Sequence, residues 1–406
     1  MWIFGTCGKP TLRGWTNNSY RPFSVITLLI DRVLTLFMFS SDDTSKIRVV
    51  YHFTNVLLQF INVLLASKLA QSIFKRATKN AALADRLGSA CAFVFGLHPV
   101  RTEVVANVTS RAEMLAAIFV FIALIVYLER CVSASENKSF FTWFSLCTLM
   151  TWCGVLCKET ALVCPAIILA VEISYSISTT SESFRTSFEF IRNRIGNINL
   201  TRVISVLVLT FATLFIRLRL FSCVSGTGYT LDTVDFLHNA VSSVSDPISR
   251  YRTAAFVQSK AMSMLVVPLE LSHEHSPIRA LESFVDVRMI LVVVVYFLIL
   301  YGGVFWLKTP TRVVAFAFVV AGYLPASHVI MKVAFTLAER TLYLPSFGAS
   351  CLIVDLVFSL RPQHWKSLIV ALGVVYVHFS SSLSLSPYSS TLTITTTHPH
   401  NTGTLH

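Results

Sequence analysis

Residues 88–128 read GSACAFVFGL-HPVRTEVVANVTSRAE-MLAAIFVFIALIVYL. Two strongly apolar runs flank a block that carries His98, Arg101, Glu103, Arg111 and Glu113. Ionisable groups this close to hydrocarbon are costly; they persist where they face water, pair with one another or hold a ligand. Arg101 and Arg111 are permanently charged and can fork onto phosphate, so the ligand this block suits is an anion. His98–Pro99 ends the first helix, because proline lacks an N–H and clashes with a continuing turn. Spacing alone leaves two readings level: a phosphate-and-sugar pocket, or a helix-end cluster in which Arg101 and Glu103 simply pair.

Outward from this block the chain stays apolar. It has 406 residues, 54% hydrophobic and only 13% charged, with a mean hydropathy of +0.66. Repeated continuous runs of near-spanning length predict an all-α polytopic membrane protein rather than a soluble domain or a barrel, whose strands would alternate. Ten spans are expected, at about 49–69, 87–97, 114–128, 144–156, 161–177, 203–220, 289–307, 313–324, 343–358 and 368–379. Phe23–Phe39, broken by Asp31–Arg32, reads as an interfacial stretch. The expected organisation is a loop with that stretch (1–47), a membrane domain (48–380) with a long loop at 221–288, and a disordered Ser/Thr-rich tail (381–406).

The net charge of +12 reads as a topology signal, not as a nucleic-acid footprint, since Lys and Arg sit in the loops. If the first span runs from lumen to cytosol, short luminal loops hold only Arg101, Arg111, Lys158, Lys332 and Arg340, whereas fourteen cations from Lys75 to Lys366 face the cytosol. That orientation puts residues 98–113, Lys158–Glu159, the long loop and Glu339–Arg340 on one membrane face, a convergence that suits an active site. A transporter would gather its charges near the midplane in broken helices.

Other candidates are weaker. Nine scattered cysteines show no paired metal spacing; Cys153 and Cys157 share a helical face, which more often means packing. His273–Glu274–His275 places its histidines two apart, off a common helical face, so no metal site is expected. Asp42–Asp43 lies in a polar turn, and Asn17 is the plausible glycan acceptor among four sequons.

Several segments together resemble the transmembrane and tetratricopeptide-repeat-containing protein O-mannosyltransferases. FGLHPVRTEVVANVTSRAEMLAA (95–117) resembles that family's histidine–proline–valine and arginine–alanine–acid signature. SYRPFSVITLLID (19–31), YHFTNVLLQFINVLLA (51–66), CKETALV (157–163), LPASHVI (324–330) and AERTLYLPS (338–346) follow in the family's order. SDPISRYRT, VVPLELSHEHS and FVDVR resemble its uncharacterised loop domain, with Glu274 where the family usually has aspartate. The resemblance implies a GT-C-like membrane domain in the endoplasmic reticulum, with its site on the luminal side. It implies transfer of mannose from dolichyl phosphate mannose to Ser or Thr of secretory proteins, cadherin-like β-sandwiches among the acceptors. Arg101, Arg111, Lys158 and Arg340 are then the expected phosphate ligands. His98, Glu103, Glu113, Glu159, Asp246, Glu274, Glu339 and Tyr343 are the expected supporting residues. The family's further amino-terminal helix, its luminal acidic pair (the expected catalytic-base site) and its tetratricopeptide repeats have no counterpart between Met1 and His406. The expectation is a chain truncated at both ends, its base upstream of Met1. A non-catalytic lipid-phosphate binder or partner subunit is the alternative.

Overall fold

The computed structural model describes residues 21–39, 44–78, 80–132, 137–175, 186–195, 199–225, 239, 241, 244–268, 271–272, 275, 278–329, 333 and 335–385. The regular elements described there are all helical: α1 Pro22–Phe39, α2 Thr44–Ala77, α3 Ala81–Leu97, α4 Arg101–Ala106, α5 Arg111–Val126, α6 Asn137–Cys157, α7 Cys164–Tyr175, α8 Ser187–Ile195, α9 Leu200–Ser225, α10 Pro247–Met264, α11 Arg288–Tyr301, α12 Pro310–Tyr323, α13 Tyr343–Leu360 and α14 Trp365–Leu385. Local sequence marks the starts. The Asn80 side chain accepts from Leu83 N–H at 3.0 Å, and Asp246 and Thr309 cap helices whose first turns carry proline.

Among the described residues six segments are long and apolar enough to cross a membrane: Pro22–Phe39, Ser45–Ala77, Val108–Cys131, Lys138–Cys157, Arg288–Trp306 and Glu339–Leu360. Leu200–Ile216, Pro310–Ala326 and Trp365–Ser381 are shorter apolar helices. Five of the ten expected spans coincide with the six. The sixth, Pro22–Phe39, is the stretch expected to be interfacial and broken. It is instead one unbroken helix, because Asp31 is buried and ion-paired rather than exposed. The end of the chain differs as well. α14 continues to Leu385, into the segment expected as tail. Serine hydroxyls in its last turns bond back to the helix, Ser380 to the Tyr376 carbonyl at 3.0 Å and Ser381 to that of His378 at 2.9 Å.

α2 packs along α3 and α5, α5 along α6, and α12 along α7 and α13, while α3 also meets α13 and α14. Their shared core holds an aromatic stack from four helices. Phe121 lies 5.8 Å from Phe95 and 5.0 Å from Phe347, which lies 4.8 Å from Phe318. Small residues bring the backbones close: a Cβ at Gly348 would collide with the Ala315 carbonyl oxygen.

α1 is built inside out. Ser24, Asp31 and Thr35 face the protein, whereas Val25, Ile26, Leu29, Ile30, Val33, Leu34 and Phe37 are exposed. Such a helix is stable with hydrocarbon outside and polar partners inside. Its anchor is Asp31, whose carboxylate meets Arg111 at 2.6 Å and accepts from the Thr54 hydroxyl at 2.9 Å. Ser24 donates to the Cys157 carbonyl at 3.1 Å, and the Tyr51 hydroxyl to that of Leu28 at 3.2 Å.

Removing one member of a buried pair strands the other's charge. Arg111→Leu should therefore destabilise the chain by about 3–5 kcal/mol, and the Asp31→Leu, Arg111→Leu double variant by clearly less. Thermal unfolding in detergent measures both. Equal losses in the single and double variants would show that the pair is not the anchor.

Candidate functional site

α2, α5, α7 and α13 begin, and α3 and α6 end, at one end of the bundle, and the ties between their termini assemble the site there. His98 caps α3, α4 and a 3₁₀ turn (Val108–Ser110) carry the chain to α5, and another 3₁₀ turn, Glu159–Val163, joins α6 to α7. Glu339–Leu342 forms a third such turn leading into α13. Every expected site residue among the described residues lies in or beside these turns except Asp246. That residue caps α10, accepting from Ser249 N–H at 2.8 Å. Glu274 lies outside the described residues, as do Asn17, Asp42 and Asp43.

Charges adjacent in sequence do not pair here. Glu103 receives Arg340, by its guanidinium at 2.8 Å and its backbone N–H at 2.7 Å. Lys158 pairs with Glu113, whose other oxygen accepts from the Thr160 hydroxyl at 2.9 Å. Glu159 pairs with Arg21 at 2.8 Å. Glu339 accepts from the backbone N–H of Ser272, and His275 Nε2 lies 3.2 Å from it. Arg111 is fully engaged: besides Asp31, it donates to Asn55 Oδ1 at 2.8 Å and to the Tyr51 carbonyl at 3.0 Å. Asn55 in turn donates to the Val105 carbonyl at 3.0 Å. Burial lowers the Lys158 pKa against the pull of Glu113, and the positive fields of Arg21 and Arg340 lower it further. Those cations therefore share one neighbourhood.

Arg101 differs from the other three expected phosphate ligands. It is 3% exposed, and its guanidinium lies 3.2 Å from the Phe95 ring centre and 5.2 Å from that of Tyr343. One N–H donates to the Ser346 hydroxyl at 2.8 Å. Nε and the other terminal nitrogen are buried without a hydrogen-bond partner among the described residues. Burial lowers its pKa to about 9, with Tyr343 acting the other way, which leaves it charged at neutral pH. Tyr343, expected as a supporting residue, is fully buried, its hydroxyl donating to Gln59 Oε1 at 2.6 Å.

His98 is a structural joint. Its Nε2 lies 3.1 Å from the Leu265 carbonyl, Nδ1 accepts from Val100 N–H at 3.3 Å, and its ring lies 4.8 Å from that of Tyr376. These bonds assign a neutral ring with the proton on Nε2. Among the described residues no group of three or more His, Cys, Asp or Glu is placed to hold a metal ion.

Asp31, Tyr51, Asn55, Ser346 and His275 complete this network without having been expected as site residues. For Asp31 the signal was present: Ser24, Thr27, Asp31 and Thr35 recur at helical spacing in an apolar run.

Among the described residues, the fold and site thus define an all-helical arrangement with six candidate membrane spans and a network of ion pairs at one end of the bundle. No family model matches the chain. It is 24% identical over 390 residues to the protein O-mannosyl-transferase F38B6.6 of Caenorhabditis elegans, covering 93% of this chain and 49% of that protein. Mouse protein O-mannosyl-transferase TMTC3 is 25% identical over 359 residues, 86% of this chain and 36% of its own length. Human protein O-mannosyl-transferase TMTC4 is 24% identical over 411 residues, 93% and 52% respectively. The chain therefore has homologues among the protein O-mannosyl-transferases at about 24% identity over most of its length. It spans about half of their length or less. Among solved structures, an Archaeoglobus fulgidus oligosaccharyltransferase with a tethered acceptor peptide covers 90% of this chain at a TM-score of 0.42 and 13% identity, 45% of its own length being matched.

The buried His98 ring gives a pH signature. Burial first, and the Arg101 charge second, push its pKa from 6.5 down to about 3. The unfolded chain therefore takes up a proton that the folded chain does not, and this stability is full above about pH 6.5 and lost as pH falls toward 3. Thermal midpoints measured across that range should fall for the parent chain and flatten for His98→Gln; parallel profiles would refute the assignment.

Proposed function

We propose that the chain is the membrane part of a GT-C-like glycosyltransferase that handles a lipid-linked sugar phosphate. The donor is dolichyl phosphate mannose and the acceptors are Ser and Thr hydroxyls of proteins in the secretory pathway, cadherin-like domains included. The site then faces the lumen of the endoplasmic reticulum. Homology to the protein O-mannosyl-transferases supports the class. One observation carries the phosphate role: Arg101 is a buried guanidinium with two nitrogens open for hydrogen bonding among the described residues. A phosphodiester oxygen accepting those bonds would neutralise it, and leaving-group charge is stabilised by such fixed cations. Lys158 and Arg340 stand nearby as paired cations that add positive field, with Glu113 and Glu103 setting their positions. Arg111 acts further back, by holding α1 and the start of α2 against α5.

A second reading, a lipid-phosphate binder without transfer, is favoured by the state of the carboxylates. Asp31, Glu103, Glu113 and Glu159 are each already paired with an arginine or lysine. A carboxylate so held is a poor acceptor for a hydroxyl proton.

Both readings place the lipid phosphate on Arg101. Binding of dolichyl phosphate to the purified chain, followed by thermal shift, should weaken by about 10–100-fold in Arg101→Gln and less in Arg101→Lys. Unchanged affinity in Arg101→Gln would remove the phosphate assignment. Mannosyl transfer to an acceptor domain by the same preparation separates the readings: binding with transfer supports the enzyme, binding without it the second reading.

A further inference from the structure

The turn before α11 carries an unusual surface. Phe284 is 67% exposed, Val285 92% and Val287 75%, and Ile290, Val293 and Val294 continue the exposed apolar face into α11. Isolated surface hydrophobics are ordinary, but a contiguous patch of this kind marks an interaction site. The same residues line a groove of about 450 Å³, together with Asp286 and Met289. The groove is therefore continuous with the outer face of a candidate membrane span, Arg288–Trp306. Its polar edge carries Arg252, the Asp286–Arg288 pair and Glu282. Asp286 is consumed by Arg288, at 2.6 Å and through a backbone bond of 2.9 Å, so its carboxylate does not repel an anion. Arg288 also donates to the Arg279 carbonyl at 2.7 Å, which closes the turn and fixes the apolar tip in place. Arg252 reaches over from α10, its guanidinium 4.5 Å from the Phe284 ring centre. Glu282 is the exposed carboxylate on the same turn.

An apolar tip, a groove open toward the hydrocarbon face and an arginine beside them match a bilayer interface, where side chains of mixed character sit at headgroup depth. We infer that Phe284–Val287 inserts into the membrane interface, with a phospholipid acyl chain in the groove and the lipid phosphate against Arg252. This anchors α10, and through the bond from His98 to the Leu265 carbonyl just beyond it, one wall of the site to the membrane surface. The inference does not rest on the proposed activity.

The test uses the full chain reconstituted in phosphatidylcholine vesicles, with and without phosphatidylserine. Tryptophan emission of Phe284→Trp and Val285→Trp, after subtraction of the parent spectrum, reports two neighbouring positions, so failure of one variant to fold leaves the other. The expected result is a blue shift and a loss of emission with lipids brominated near the carbonyl end of the acyl chain. The loss should grow with phosphatidylserine, and Arg252→Gln should abolish that increment. Emission typical of water, quenched by iodide and not by brominated lipid, overturns the inference. So does a blue shift without brominated-lipid quenching, which would mean that protein, such as a second copy, covers the patch.

Discussion

A charge at the edge of hydrocarbon must be neutralised where it stands, and the Asp31–Arg111 pair is where this chain meets that constraint most severely. Both side chains are almost fully buried. Arg111 opens α5, Asp31 sits midway along α1, and Tyr51 and Asn55 bring in the start of α2, so one guanidinium fastens three helices. The turns at that end of the bundle are fixed by the same rule: Glu103 with Arg340, Glu113 with Lys158, Glu159 with Arg21. Pairs of this kind give little net stability, because desolvation offsets attraction. What they give is register, since each joins segments far apart in sequence.

Against that background Arg101 is the exception. It lies among the aromatic rings of Phe95 and Tyr343 and a serine, and has no described carboxylate. Rings and a hydroxyl offset only part of a buried charge. Among the described residues Arg101 is the cation of this cluster left without a carboxylate, the others being paired with Asp31, Glu103, Glu113 and Glu159. Glu339 stands apart as well: a histidine and a backbone N–H approach it, rather than a lysine or arginine.

Much of the helical layout was legible, because apolar runs of spanning length need no partner to declare themselves. In their described residues all ten runs fall on helices, although five of them, at 87–97, 161–177, 203–220, 313–324 and 368–379, lie outside the six candidate spans. Pairing was not legible. Lys158–Glu159 and Glu339–Arg340 look like local pairs, yet each of the four binds elsewhere, since neighbours on a tight turn point apart while distant turns converge. Asp31–Arg32 looked like a break in a helix because its neutralising partner lies in another element.

The pairing of Asp31 with Arg111 also bears on how the chain is made. The two residues are 80 positions apart (111 − 31). At synthesis rates of about 5–20 residues per second, Asp31 exists for roughly 4–16 s before its arginine does. Through that interval α1 carries an uncompensated carboxylate on its polar face, so the stable place for it is at the water boundary. Its final seat against α2 and α6 becomes favourable once α5 has emerged, which makes α1 one of the later helices to settle.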